Sequence, residues 1–373
     1  MAEYSEAAGA LRALQRPVPA YPMEATAGYV PSLDGLRAFS ILLVVASHLG
    51  LHNILPGGFG VTVFFFISGF LITRLMFAEV IRTGSLKLDR FYGRRFLRLA
   101  PALLLMIAVT SLVVSTQLRQ VPWQEISAAL FDYANYYIYY HPDLHLPLRA
   151  MWSLAIEEHY YLAYPFIFAL LVRRPEKLLM LLAALCVAVL AWRTVLILVL
   201  DVPTTPPDPG EPYTYLASDC RVDSILFGAM LAVCTQMDWG RALIVRIVNW
   251  PMFVVCAIAL LASFAVRSPE FRETARYSIQ SATLFVLFAC CLFGRQFDLM
   301  RRILETPMML WVGRVSYSLY IWHLAVVSAM KWQFAGGAGW EWALPSVPAI
   351  FAVAALSYYV VERPVSRIRA RLH

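Results

Sequence analysis

Apolar residues in this chain come in stretches of about 20, the length a helix needs to cross a hydrocarbon core. Short polar connections separate them. About ten such stretches follow from hydropathy, centred near Val44, Phe65, Met106, Tyr164, Leu185, Phe227, Ala257, Phe285, Tyr320 and Ala352. The pattern predicts an all-α fold, a polytopic transmembrane bundle of about ten helices. Residues 29–368 make up the expected membrane domain. Residues 1–28 read as a polar, proline-containing cytoplasmic extension, disordered and with no cleavable apolar leader, and residues 369–373 as a cytoplasmic tail. No appended soluble domain and no internal repeat are visible, which weighs against an inverted-repeat transporter.

Composition agrees with the pattern: 60% hydrophobic and 15% charged residues fit no soluble chain of 373 residues. The net charge of +7 would suggest nucleic acid if it were spread evenly, but it alternates by connection. Basic residues crowd the second connection (Arg74 to Arg98), the fourth (Arg173, Arg174, Lys177), the sixth, the eighth and the tail, while the odd connections hold few. The positive-inside rule then puts both termini in the cytoplasm. The basicity reports topology, so no nucleic acid is expected as a partner; membrane lipid is. Six cysteines fall in or beside apolar segments without metal-ligand spacing, so neither a disulfide framework nor a metal site is expected. The pattern specifies no oligomeric state.

Polar groups inside apolar stretches are costly and mark candidate function. Arg37 and His48 share the first span, eleven residues apart, on nearly one helical face and about 16 Å apart along the axis. In RAMWSLAIEEHYYLAYP, Ser153, Glu157, Tyr161 and Tyr164 follow helical spacing on one face, with Glu158 one step around. A carboxylate beside a histidine fixes the imidazole tautomer and favours its protonated form, as a general base requires. The bland alternative is a Glu–Arg pair locking two helices. Arg94, Arg95 and Arg98 stand at i, i+1 and i+4 at the head of the third span, where guanidiniums converge and bind phosphate bidentately. Lipid headgroups and topology marking are the alternatives there. Asp219, Arg221 and Asp223 are expected to pair with one another at an interface. Arg314, Tyr317, Tyr320 and His323 lie in the ninth span, where an aromatic belt accounts for the tyrosines but less readily for Arg314 or His323. Residues 118–150 carry five tyrosines with His141 and His145, and are expected to lie on the outer surface or fold back over the bundle mouth. The proline-rich 201–213 loop reads as irregular.

Six ordered motifs, SLDGLRAFSILLVVASH, GGFGVTVFFFISGFLIT, YGRRFLRLAPALL, MWSLAIEEHYYLAYP, GRVSYSLYIWHL and SYYVVERP, resemble those of the acyltransferase family 3 of membrane-bound O-acyltransferases, from about residue 29 to 368. The resemblance implies a bacterial inner (cytoplasmic) membrane enzyme that moves an acyl group, most often acetyl, from acyl-CoA to a hydroxyl. Acceptors in the family include cell-surface polysaccharides, glycolipids and macrolides. It implies acyl-CoA as co-substrate and no bound cofactor. Carried over by motif, His48 and Arg37 match the essential first-helix pair, Glu157 the glutamate of WSLxxE, and Arg94, Arg95 and Arg98 the donor cluster. Thr62 stands where many members have aspartate in GVDxFF, and His159 where glutamine is usual; the esterase-like domain of some members has no counterpart here.

The expected chemistry has His48 accept the acceptor's proton, Glu157 or Glu158 orient the imidazole, and Arg37 stabilise negative charge. Trp152, Tyr161, Arg314, Tyr317 and His323 are the expected substrate-binding residues. A transporter or flippase using the Arg, His and Glu set as a proton relay is the competing expectation. His48 falls toward the outer end of its span while donor phosphates are inside, so the span must be broken or the donor's arm must reach into the bundle.

Overall fold

A computed structural model describes residues 28–118 and 120–369; the expected amino-terminal extension up to residue 27 and the tail from residue 370 lie outside the described residues. Among the described residues every regular element is helical. The chain opens with α1 (Pro31–Ala46), prolonged by a π turn over Ser47–Leu51, then α2 (Gly57–Thr83) and α3 (Leu88–Leu118). Two short helices, α4 (Trp123–Leu130) and α5 (Ala134–Tyr140), precede α6 (Met151–Leu171) and α7 (Pro175–Leu198). There follow α8 (Asp223–Cys234), α9 (Asp238–Ile247), α10 (Trp250–Ala265) and α11 (Ala275–Phe293). The last elements are α12 (Pro307–Arg314), α13 (Ser316–Gln333), α14 (Gly339–Ser357) and α15 (Arg363–Arg369). Shorter helical segments between these, and the helix Asp298–Leu304, are left unnumbered.

All ten segment centres expected from hydropathy fall on helices. By length and composition, 6 helices can cross a membrane, or 7 if α9 and α10, bent by 77°, count as one broken span. The chain is thus a multi-pass membrane protein. Boundaries follow local chemistry. Pro31, Pro175 and Pro307 sit in the first turns of α1, α7 and α12, where the missing N–H costs nothing. Gly84, in the left-handed region, ends α2 by donating its N–H to the Val80 carbonyl.

The most apolar stretch of α2 is 72% buried, against 22% for those of α3 and α14. A central α2 and peripheral, lipid-facing α3 and α14 follow. Where α2 crosses α8, a Cβ on Gly69 would collide with the Ile225 carbonyl, and one on Gly228 with that of Phe66. Only glycine lets these two backbones touch, the usual way membrane helices gain packing without a hydrophobic driving force.

Polar groups buried beside this crossing correct one expectation. Asp223 does not pair within its own segment. It takes Arg193 of α7 at 2.8 Å, both side chains fully buried, and accepts from Ser278 of α11 at 2.7 Å. Asp219 instead accepts from the Trp192 indole at 2.6 Å, and Arg221 donates to Thr62 Oγ1 at 3.1 Å with its guanidinium 3.8 Å from the Tyr277 ring centre. A buried ion needs a partner from wherever packing supplies one, and here neighbouring helices do so. Within the tyrosine-rich connection, buried Glu125 of α4 accepts the backbone N–H groups of His145 (2.9 Å) and Leu146 (2.7 Å), closing the segment on itself, and Asn135 of α5 donates to the Leu216 carbonyl at 3.2 Å.

Candidate active site

The α-helix of α1 stops at Ala46, and the next five residues open into a π turn in which Gly50 adopts φ +100°. Such insertions re-aim side chains, and this one carries His48. The Nδ1 of His48 lies 2.9 Å from the Val44 carbonyl. A carbonyl only accepts, so Nδ1 holds the proton and Nε2 the lone pair of the neutral ring. His48 is exposed to a cavity of about 500 Å³ that also takes in Arg149, Trp152, Glu211, Tyr320 and Lys331. A second imidazole backs it. His323 of α13 is fully buried with its ring centre 5.0 Å from that of His48, and donates Nδ1–H to the Tyr320 carbonyl at 2.6 Å. Its Nε2 meets no partner among the described residues.

Glu157 is elsewhere. Its carboxylate accepts from Ser68 of α2 at 2.9 Å and from Tyr161, one turn on, at 3.1 Å. The charges of Arg95 and Arg37 act on it. These groups, with Arg98, Ser153, Tyr317 and Tyr320, line a narrow passage of about 60 Å³. Tyr317 donates to the Leu99 carbonyl at 2.9 Å. Tyr320 bonds Ser153 at 2.5 Å and the Ala150 carbonyl at 3.0 Å.

The arginines of α3 open on a third space. A cavity of about 290 Å³ is lined by Arg82, Arg94, Arg95, Arg98 and Glu79. Arg94 pairs with Glu79 at 2.5 Å, and the Arg95 guanidinium lies 3.4 Å from the Tyr161 ring centre. The three spaces run in series. The arginine cavity and the passage share Ile72, Arg95 and Arg98; the passage and the histidine cavity share Val61 and Tyr320. Gly57 lines the histidine cavity and Arg82 the arginine cavity. At 1.5 Å per residue these ends of α2 stand about 37 Å apart, the thickness of a bilayer with part of its interface. The three spaces therefore adjoin one another along the bundle, the first lined by the arginines, the second by Glu157 and the third by His48.

Set against expectation, Arg94, Arg95 and Arg98 come together. Arg37 and Arg95 line the same passage as Glu157, but neither makes an ion pair with it, so the Glu–Arg lock between helices weighed as the bland alternative is not formed there. His48 and Glu157 are not in contact. They face different cavities, and the Val44 carbonyl, not a carboxylate, orients the imidazole. Glu158 faces a side cavity beside the passage. Trp152 and His323 stand on the histidine side, Tyr161 and Tyr317 on the passage. Arg314 is in neither: it ends α12, is exposed, and folds its Nε back to the Leu310 carbonyl at 3.1 Å. Arg149, Glu211 and Lys331 were not expected. They come from connections and helix ends that carry no apolar pattern, and their only signal is charge beside the mouth of the bundle.

These features define a class, polytopic helical membrane proteins with an arginine-lined cavity and a histidine-lined cavity in one bundle. The chain belongs to the acyltransferase 3 family: the acyltransferase domain matches residues 30–362. It is 28% identical over 358 residues to the peptidoglycan O-acetyltransferase OatA of Listeria monocytogenes, covering 91% of this chain and 56% of that protein. It is likewise 28% identical over 366 residues to the O-acetyltransferase OatA of Staphylococcus aureus, covering 91% and 57%. The chain thus spans little more than half the length of these relatives. No solved structure matches it.

Proposed function

We propose that the protein is an O-acyltransferase of a bacterial cytoplasmic membrane, both termini inside, which moves an acyl group, acetyl at least, from acyl-CoA to a hydroxyl of a carbohydrate-containing acceptor. Family membership and the names of the relatives support acyl transfer to a saccharide. The observation that carries the reading is the series of cavities joining the arginine cluster to a free imidazole lone pair. The arginines suit coenzyme A phosphates because they stay charged and bond oxygens in pairs. The passage suits a thin thioester arm, by which a donor held inside would reach a histidine near the outer face.

The chemistry balances as one transfer. The acceptor oxygen attacks the thioester carbonyl carbon while its proton passes to His48 Nε2. The C–S bond then breaks, the acyl group stays on oxygen, and the sulfur leaves with that proton as the free thiol. Arg37, Arg95 and Arg98 offset negative charge along the donor. Glu157 acts through them as a positioning residue rather than on the imidazole. The test is transfer of label from acetyl-CoA to oligosaccharide acceptors by the purified chain in nanodiscs. Acylated product is the expected result. Movement of a glycan across proteoliposomes without acyl-CoA, and no acylated product, would overturn the reading in favour of transport.

A further inference from the structure

The histidine cavity adjoins a further space that the passage does not touch. A cavity of about 440 Å³ shares Ser47, His52, Gly57, Gly58, Glu211 and Tyr215 with it, and no lining residue with the passage. Its remaining walls come from the start of α2, the proline-rich loop, and the connection from α10 into α11. Thr205 and Arg272 of its lining are exposed, so it opens at the surface of the bundle. The lining mixes aromatic rings with hydrogen-bonding groups. Phe59 and Phe264 meet edge to face with ring centres 5.3 Å apart, and Tyr215 packs on Trp152 at 4.6 Å. Cations do not dominate as they do in the arginine cavity, because Arg272 and Arg276 are matched by Glu211 and Glu273. Glu273 is taken up by the hydroxyls of Thr214 (2.7 Å) and Tyr277 (2.9 Å). Half-buried Glu211 and exposed Arg272 are not: among the described residues, neither side chain makes a hydrogen bond or an ion pair.

Size decides how much of a glycan each cavity takes. Benzene fits a cavity of about 150 Å³, and a sugar ring with its substituents has about twice as many heavy atoms, so one sugar needs about 300 Å³. The histidine cavity and its neighbour each exceed that, and neither reaches twice it. A sugar also matches the lining, with C–H faces for aromatic rings and hydroxyls that both donate and accept at its edge. A lipid tail would bury Glu211 without a partner, and a polyanion would meet two carboxylates. We infer that this cavity is a second glycan subsite, and that the substrate is an oligosaccharide of at least two units, the acylated sugar beside His48 and its neighbour beyond Tyr215. Arg272 donates to hydroxyls of the second sugar and Glu211 accepts from them. The open rim lets a longer chain leave, so a third sugar adds little. The inference rests on the acyl-transfer reading, and the bonds made and broken are the same.

The experiment measures acetyl transfer from acetyl-CoA to N-acetylglucosamine and to its linear dimer and trimer, using the full chain in nanodiscs. The dimer is expected to exceed the monomer in kcat/KM by about tenfold or more, the worth of one charge-assisted hydrogen bond, and the trimer to exceed the dimer by less than about twofold. Arg272→Ala lowers the dimer to monomer ratio by about tenfold. Thr205→Trp, which fills the cavity from its rim, removes the preference for the dimer. Both variants are read as ratios, so a general loss of folded protein cancels. Equal kcat/KM for all three sugars in the wild-type chain would overturn the subsite and leave acyl transfer standing. A dimer preference that neither variant changes would do the same. Acetylation of none of the three would instead remove the acyl-transfer reading and the subsite with it.

Discussion

The two ends of this series of cavities handle charge in opposite ways. At one end cations are massed: Arg82, Arg94, Arg95 and Arg98 border one cavity with Glu79 as their carboxylate. At the other, two imidazoles each give their only proton to a backbone carbonyl and keep a lone pair. The first arrangement suits a polyanion and tolerates water. The second suits proton transfer and depends on ring orientation, which the Val44 carbonyl fixes. On the proposed function, one end would keep part of its role after losing a residue, whereas the other rests on a single atom, His48 Nε2.

That contrast can be broken most directly at His48. His48→Ala is expected to lower transfer by about 10²–10⁴-fold while coenzyme A still binds; a matching loss of coenzyme A affinity in calorimetry would mean the ends are not separate. Next in size, Arg95→Ala is expected to weaken donor binding by about ten- to a hundredfold, the worth of one charge-assisted contact, with kcat little changed. A fall in kcat alone, in steady-state kinetics, would move Arg95 to the reacting atoms. Glu157→Gln keeps one hydroxyl donor on its oxygen, turns the other hydroxyl into an acceptor of its NH2, and removes the charge facing Arg95 and Arg37, so a few-fold change in KM for the donor is expected with an unaltered pH–rate profile. A shifted profile would restore the Glu157–His48 coupling that the geometry does not make.

The smallest expected effect lies beside the passage. Burial pushes the Asp132 carboxyl up from 3.8 to about 6. The folded chain then holds this proton more firmly than the unfolded one, so stability drops as pH rises through that window and the cost is complete above it. Asp132→Asn is expected to stabilise the protein by less than about 1 kcal/mol at neutral pH, after discounting for the residue's partial exposure. The gain should vanish below about pH 4, the ordinary carboxyl range. Any benefit of asparagine at this positive-φ position would persist at all pH values, so thermal unfolding across pH separates the two.

What the sequence disclosed follows the same division. All ten hydropathy centres fall on helices because a lipid solvent demands long apolar runs. Hydropathy did not tell crossing helices from those too short or too polar, because packing against neighbours decides that. The arginine cluster was legible because i, i+1 and i+4 neighbours on one helix need no tertiary information, and the Glu157–Tyr161 contact for the same reason. The histidine end was not. Periodicity carried Arg37 and His48 along one continuous face, but α1 gives way to the π turn and the two side chains enter different cavities. Arg314 was misassigned because α12 ends at it, a break no apolar pattern reveals. The pairing of Arg193 with Asp223 was missed although a lone arginine inside the apolar α7 was its visible sign.

Tyr320 borders both the passage and the histidine cavity, held by Ser153 and the Ala150 carbonyl. A membrane that stores a proton gradient does not tolerate an unbroken column of water, and this phenol ring stands where the column would otherwise close. On the proposed function, the side chain that a donor's arm would pass is thus also the wall between two water-accessible spaces, and transfer and tightness meet at one aromatic ring.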